Sequence, residues 1–202
     1  MLQLFPGNIN SRHIEKAVKI LKEDGVLIIP TDTVYALACS LKSRKAFERI
    51  CNIKKIKPSQ ANFSLAFTNF KSLSEYTTPF SREIFKVMKA SLPGPFTFIL
   101  NASTRVPEIF KSRKKTIGIR IPDNEIVQAV IGDLGDPLVV TSLHPDNENT
   151  AYYNDAFEIE GEYADRVDLI IDGGYSEMVA STVIDCTGDT PVVIRDGKGN
   201  LG

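Results

Sequence analysis

The chain has 202 residues, 43% hydrophobic and 24% charged, which is the make-up of an ordinary globular protein and excludes a disordered or fibrous one. That length suits one large domain or two small ones, and it buries a sizeable core without disulfide or metal staples. The net charge of −1 argues against a polyanion partner for the chain taken as a whole.

Apolar residues Ile14, Ala17, Val18 and Leu21 recur at helical spacing and predict a helix over 11–24, with Gly25 as its stop. Val26 to Ile29 is a short buried strand, the longest apolar run being Val26 to Pro30. A second helix is predicted from Ser43 to Ile53, ended by Pro58 after the lysines at 54, 55 and 57. Further helices are expected at Ser72–Tyr76 and Ser81–Leu92. Strands are expected at Phe96–Leu100 and Thr116–Ile121, a helix from Asn124 to Leu134 capped by Gly135, and a strand at Leu138–Ser142. Three short strands close the chain, at Leu169–Ile171, Thr182–Ile184 and Val192–Ile194. Helices and strands interleave, no repeat or linker marks a boundary, and the pattern predicts one α/β domain over 1–202 with a mixed sheet.

Nothing in the sequence approaches a membrane span, and MLQLFPGNIN lacks the basic start and cleavage site of a secretory signal. Cys39, Cys51 and Cys186 are odd in number, widely spaced and set among apolar neighbours, so they read as three buried free thiols in a reducing, cytoplasmic setting. Charge is unevenly spread. Residues 1–120 carry 21 basic and 8 acidic side chains, a net of +13, and residues 121–202 carry 3 and 17, a net of −14. The asymmetry fits a positive face on a neutral molecule, and equally two solvated surfaces of opposite sign.

Several familiar chemistries are missing. No GxxxxGK[ST] loop occurs, and the literal GxGxxG at Gly197–Gly202 has no helix behind it to receive a pyrophosphate. His13 and His144 are far apart and no CxxC or HxxxH is present, so no zinc site is expected. Ser142 and His144 sit two apart on a strand, as a nucleophile and base would, but no orienting carboxylate is identifiable and a loop histidine is the simpler reading.

Four polar segments lie at strand or helix edges, where sites are built. Pro30–Leu37 (PTDTVYAL) breaks a buried strand with hydroxyls and a carboxylate, which suits a polar ligand or a capped turn. Lys54, Lys55 and Lys57, with Asn62 nearby, suit a polyphosphate, the carbonyl end of a helix or a solvated face. The run KSRKK leads into the strand TIGIR, ending in Arg120. The pairs Thr141-Ser142 and Ser181-Thr182 border apolar runs, and Arg195-Asp196-Gly197 follows.

Seven pieces, PTDTVYAL, KKIKP, PGPFT, TIGIRIP, PLVVTS, STVID and VIRDG, occur in the order found in the YrdC/YciO family, over about Val26 to Gly197. The chain resembles that family, and NFSL and TSLH resemble its YciO branch. The resemblance implies a twisted mixed β-sheet with flanking helices around a concave basic cavity, the YrdC/RibB-like fold. It implies an L-threonylcarbamoyladenylate synthase, a nucleotidyltransferase joining L-threonine, bicarbonate and ATP with release of pyrophosphate. That product serves threonylcarbamoyladenosine modification of tRNA, and magnesium accompanies the phosphates. Carried across by position, Thr33, Arg120 and Ser181 would meet threonine. Lys55, Lys57, Asn62, Thr116, Ser142, Thr150 and Arg195 would meet ATP and its phosphates. No side chain is expected as a nucleophile and no metal ligand is assigned.

Three positions depart from the family pattern. Lys57 replaces the arginine of a Lys-x-Arg pair, His144 the asparagine of Ser-x-Asn, and Phe67 a histidine near the threonine site. Three readings therefore stand: the synthase, a double-stranded RNA or tRNA-binding protein without chemistry, and an ATP-dependent carbamoyl-type transferase acting on another amine.

Overall fold

The computed structural model describes residues 1–112, 114–144 and 151–201. Its helices are α1 (Ser11–Lys22), α2 (Arg44–Ile53), α3 (Phe70–Leu73), α4 (Arg82–Ser91), α5 (Glu125–Leu134) and α6 (Ala156–Tyr163). Each begins at a capping side chain: Asn10, Ser43, Asn69, Ser81, Asn124 and Asp155 accept backbone N–H groups of the first turn. Gly135 ends α5 in the left-handed conformation at φ 74°.

The strands are β1 (Leu2–Gln3), β2 (Leu27–Ile29), β3 (Ala36–Ser40), β4 (Ser64–Ala66), β5 (Phe96–Asn101), β6 (Thr116–Arg120), β7 (Leu138–Ser142), β8 (Leu169–Asp172), β9 (Thr182–Asp185) and β10 (Val192–Arg195). They form one mixed sheet in the order β1-β8-β2-β3-β7-β4-β6-β5-β9-β10. The expected α/β class, single sheet and flanking helices are therefore present.

Some expected boundaries differ. The helix placed at Ser72–Tyr76 is Phe70–Leu73, because Asn69 caps it from further upstream, its Oδ1 accepting the Ser72 amide at 3.1 Å. Pro58 does not end α2. The helix stops at Ile53, Lys55 turns left-handed at φ 55°, and Pro58 opens a separate 3-10 turn over Pro58–Gln60. Strands β1 and β4 and helix α6 carry two, three and eight residues, too few for a periodicity to stand out in sequence.

Strand alternation sends two residue sets to opposite faces. One face buries Ile28, Leu37, Cys39, Leu65, Phe98, Ile119, Val139, Ile170 and Ile184, continuous across the sheet, against α2, α4 and α6 through Phe47, Ile50, Met88 and Ile159. The other face is covered over only part of its width. There α1 and α5 seal Leu27, Ile29, Ala36, Ala38, Leu138, Leu169 and Ile171 with Val18, Leu21, Ile126, Val127 and Val130. Val18 and Leu21, both buried, contribute roughly 1.5–3 kcal/mol each by leaving water. Beyond β7 only Ala66 of β4 among the described strand residues joins that second core, and the uncovered strands floor a cavity. No helix among the described residues is long and apolar enough to cross a membrane.

Candidate functional site

The cavity has a volume of about 1160 Å³. Its floor comes from alternate residues of adjacent strands. Registers pair Ser64 with Gly118 and with Val140, Ile99 with Gly118 and with Asp185, Asn101 with Thr116, and Thr97 with Val183. Residues paired in register share a face, so Thr97, Ile99 and Asn101 of β5 and Thr116, Gly118 and Arg120 of β6 point into the hollow. Ser181 just before β9, and Val183 and Asp185 along it, do so as well, and the intervening Phe96, Phe98, Ile119 and Ile184 enter the core. Gly118 leaves room at the centre: a Cβ there would stand 2.4 Å from Ser64 Oγ, so the serine would have to turn aside to admit one.

Arg195 reaches the same hollow through an irregularity. The β9–β10 register pairs Val193 with Ile184 and then Arg195 with Val183, so one extra residue is taken up between them. Without that bulge Arg195 would fall on the opposite face. Its guanidinium donates to Ser181 O at 2.8 Å and to Ser181 Oγ at 3.3 Å. Ser181 Oγ is in turn 2.8 Å from Thr97 Oγ1. The tail behind Arg195 lies close on β9, and a Cβ on Gly197 would be 2.4 Å from Ala180 O. Gly197 thus serves packing of the tail against the segment that leads into β9, and Gly199 lets the tail lie against Phe96 of β5.

Arg120 is 5% exposed and Ser181 is 3% exposed. Arg120 Nη2 donates to Asp32 Oδ1 at 2.8 Å and to Thr33 Oγ1 at 3.1 Å. Burial pushes the guanidinium down from its usual value, Asp32 opposes this, and the nearby Arg195 adds to it. Thr31 Oγ1 donates to Val34 O at 2.7 Å and lies 3.0 Å from Thr33 Oγ1. The segment PTDT is therefore both a closed turn and a support for Arg120.

Of the residues assigned by resemblance, Arg120, Ser181, Asn62, Thr116, Ser142 and Arg195 line this one cavity. Thr33 is fully buried and joins it through Arg120. Lys55 and Lys57 are exposed and are not among the lining residues. The left-handed turn at Lys55 ends α2, so Lys54 faces the wall instead. Lys54 Nζ donates to Ser142 O at 2.8 Å, and burial pushes its ammonium down from the ordinary lysine value. Thr150 lies outside the described residues.

The sequence reading named Lys54 among the lysines suited to a polyphosphate but assigned the phosphates to Lys55 and Lys57, and it missed Asp32 as the partner of Arg120 and Thr97 and Asp185 as floor residues. The last two follow from strand alternation once registers are known. Lys114 also lines the cavity, whereas Lys111 pairs with Glu108 at 2.6 Å. Lining cations are thus Lys54, Lys114, Arg120 and Arg195, against the single carboxylate Asp185 among the described residues. His144 and Tyr152 stand at the wall with ring centroids 4.0 Å apart. No group of three or more His, Cys, Asp or Glu among the described residues is able to hold a metal. Cys39, Cys51 and Cys186 are buried and free, and burial raises all three thiols, Cys51 to about 11.

Comparisons with known proteins point in one direction. The family model Sua5_yciO_yrdC, described as Telomere recombination, matches residues 19–197. The uncharacterized protein YciO of Escherichia coli K12 is 42% identical over 98% of this chain and 95% of its own length. A crystal structure of E. coli YciO superposes with a TM-score of 0.91 at 40% identity, covering 98% of this chain and 96% of that one. A threonylcarbamoyl-AMP synthase of Halorhodospira halophila is 26% identical over 96% of this chain and 94% of its own. The crystal structure of P. abyssi Sua5 complexed with L-threonine gives a TM-score of 0.88 at 26% identity, over 97% of this chain and 57% of that one.

Proposed function

The chain belongs to the Sua5/YciO/YrdC family, and from that premise we propose that its cavity joins an amino acid, bicarbonate and ATP, making L-threonylcarbamoyladenylate and releasing pyrophosphate, for use in tRNA modification. One observation carries the reading: a single hollow brings a buried arginine and hydroxyl cluster together with cations from distant parts of the chain. Its volume of about 1160 Å³ exceeds that of pockets for one small ligand, which favours two substrates side by side.

The reading assigns the ends of the hollow by charge. Arg120, flanked by Ser181 and Thr97, is a planar donor suited to a carboxylate. Lys54, Lys114 and Arg195 suit the phosphates, each as a separate positive charge. The amine of the bound amino acid adds to bicarbonate and water leaves, forming a carbamate. A carbamate oxygen then bonds to the α-phosphorus as the bond to pyrophosphate breaks. Such a transfer needs positioning and charge neutralisation rather than a protein nucleophile. Magnesium would enter with the phosphates as part of the substrate, since no carboxylate cage is present among the described residues.

P. abyssi Sua5 is a structure with L-threonine, which supports threonine as the amino acid here. Phe67 is buried against Tyr76, with ring centroids 5.4 Å apart, and is not in the wall. Selection of the threonine hydroxyl would therefore fall to Ser181 and Thr97. The binding-module alternative is less favoured, because an arginine only 5% exposed cannot meet the backbone of an RNA duplex.

The test is pyrophosphate release with ATP, bicarbonate and L-threonine, omitting each in turn. Release should require all three, and release that persists without threonine would reject the reading. Lys54→Met should weaken ATP binding about tenfold, the scale of one charge-assisted hydrogen bond, whereas Lys57→Ala should leave it nearly unchanged.

A further inference from the structure

Two atoms at the arginine end of the cavity are buried and have no hydrogen-bond partner among the described residues: Arg120 Nε and Asp32 Oδ2. They belong to one ion pair of which only the Nη2–Oδ1 leg is made, at 2.8 Å. The Asp32 side chain is 7% exposed, so bulk water has little access to its free oxygen. Buried polar atoms of this kind carry a desolvation cost until something pairs with them. Arg120 lines the hollow, and Asp32, which is not itself among the lining residues, stands directly against its guanidinium, so both orphans lie at the edge of the hollow.

The charges restrict what that ligand is. Arg120 and Asp32 neutralise each other, so a plain carboxylate docking on the arginine brings a second anion beside Asp32. An amine without a carboxylate would meet Arg120, with Arg195 near enough to press on it. A zwitterion has neither fault, since it offers an acceptor to Nε and a donor to Oδ2 at once.

We infer that Asp32 is a specificity-determining residue that makes this end take an α-amino acid in preference to a simple carboxylate, the ligand's ammonium pairing with Asp32 Oδ2 while its carboxylate meets Arg120. The inference rests on the reading that this end of the cavity holds the amino-acid substrate. Asp32 then keeps the amine on one side of the carboxylate, where its nitrogen has a nearby acceptor when it loses a proton to attack bicarbonate.

Isothermal titration of the full chain tests this, with L-threonine and with (R)-3-hydroxybutyrate, the same molecule lacking its amino group. Wild type should prefer threonine about tenfold or more, the scale of a hydrogen bond to a charged group. Asp32→Asn should abolish that preference, weakening threonine while leaving 3-hydroxybutyrate unchanged or tighter. Asp32→Ser gives the same comparison should the asparagine variant not fold. Equal weakening of both ligands would overturn the inference, because Asp32 would then only aim the arginine. An undiminished preference would overturn it too. Wild type that binds neither ligand would reject the amino-acid reading itself, and the inference with it.

Discussion

On the helix-covered half of the sheet, alternation delivers Leu27, Ile29, Ala36, Ala38 and Leu138 to one face. On the open half the same alternation delivers Thr97, Thr116, Arg120, Ser181 and Asp185 to that face. The opposite face is apolar in both halves, with Ile28, Leu37 and Val139 continuing into Leu65, Ile119, Phe98 and Ile184. One side of each strand from β2 to β9 is thus committed to a shared core, and the chain is free to spend the other side on packing or on a site. Which it does depends on whether α1 and α5 reach over it. Ala36 and Val140 sit at the join and belong to both, packing in the covered core and lining the hollow.

The largest effect expected is on the open half. Arg120→Met would leave the Asp32 carboxylate buried without its cation, at a cost of about 3–5 kcal/mol in denaturant unfolding. The double variant Asp32→Leu/Arg120→Met removes both charges and should recover most of that loss while binding no amino acid. Recovery would mean that this half keeps its polar pair for a ligand at no gain in stability. A double variant as unstable as the single one would mean the pair is structural, and the contrast between the halves would fail.

Leu21→Ala is the matching change on the covered half. Leu21 is on the buried face of α1 and belongs to that core, so truncation should cost about 2–5 kcal/mol. Ligand affinity of the folded fraction should stay within about twofold, since distant sites with no shared partners act independently. A large loss of affinity would show the two halves to be coupled through the sheet.

The covered half was more legible in sequence than the open one, for reasons visible in particular residues. Helical spacing at Ile14, Ala17, Val18 and Leu21 reports burial directly, and Asn124 and Gly135 bracket α5 by their own chemistry. The site residues were found by motif order, which orders Arg120, Ser181 and Arg195 along the chain but says nothing of register. The bulge that turns Arg195 inward leaves no mark in VVIR. Nor does spacing alone show where a helix ends, and the left-handed Lys55 decided that Lys54, not Lys57, reaches the wall. The segment PTDT offered a turn or a ligand site as alternatives. It is a turn through Thr31 and a support for the cavity's Arg120 through Asp32 and Thr33, because adjacent residues point in different directions.

The smallest effect concerns the seam, where Tyr35 at the start of β3 is tied to the loop after β8. Its hydroxyl donates to Gly174 O at 2.6 Å and accepts from Gly173 N at 3.2 Å. Burial pushes its ionisation up from the ordinary 10.0 to about 12. Between those values the unfolded chain has released the phenolic proton and the folded chain still holds it. The contribution of Tyr35 is therefore complete below pH 10 and fades as pH rises toward 12. Tyr35→Phe loses two hydrogen bonds and should lower stability at neutral pH by about 1–3 kcal/mol. The gap between wild type and Tyr35→Phe, read from guanidinium midpoints at rising pH, should then narrow above pH 10, and only there, because the variant has no phenol to ionise. A gap that stays constant through that range would mean the hydroxyl titrates alike in both states, and that the seam is open to water.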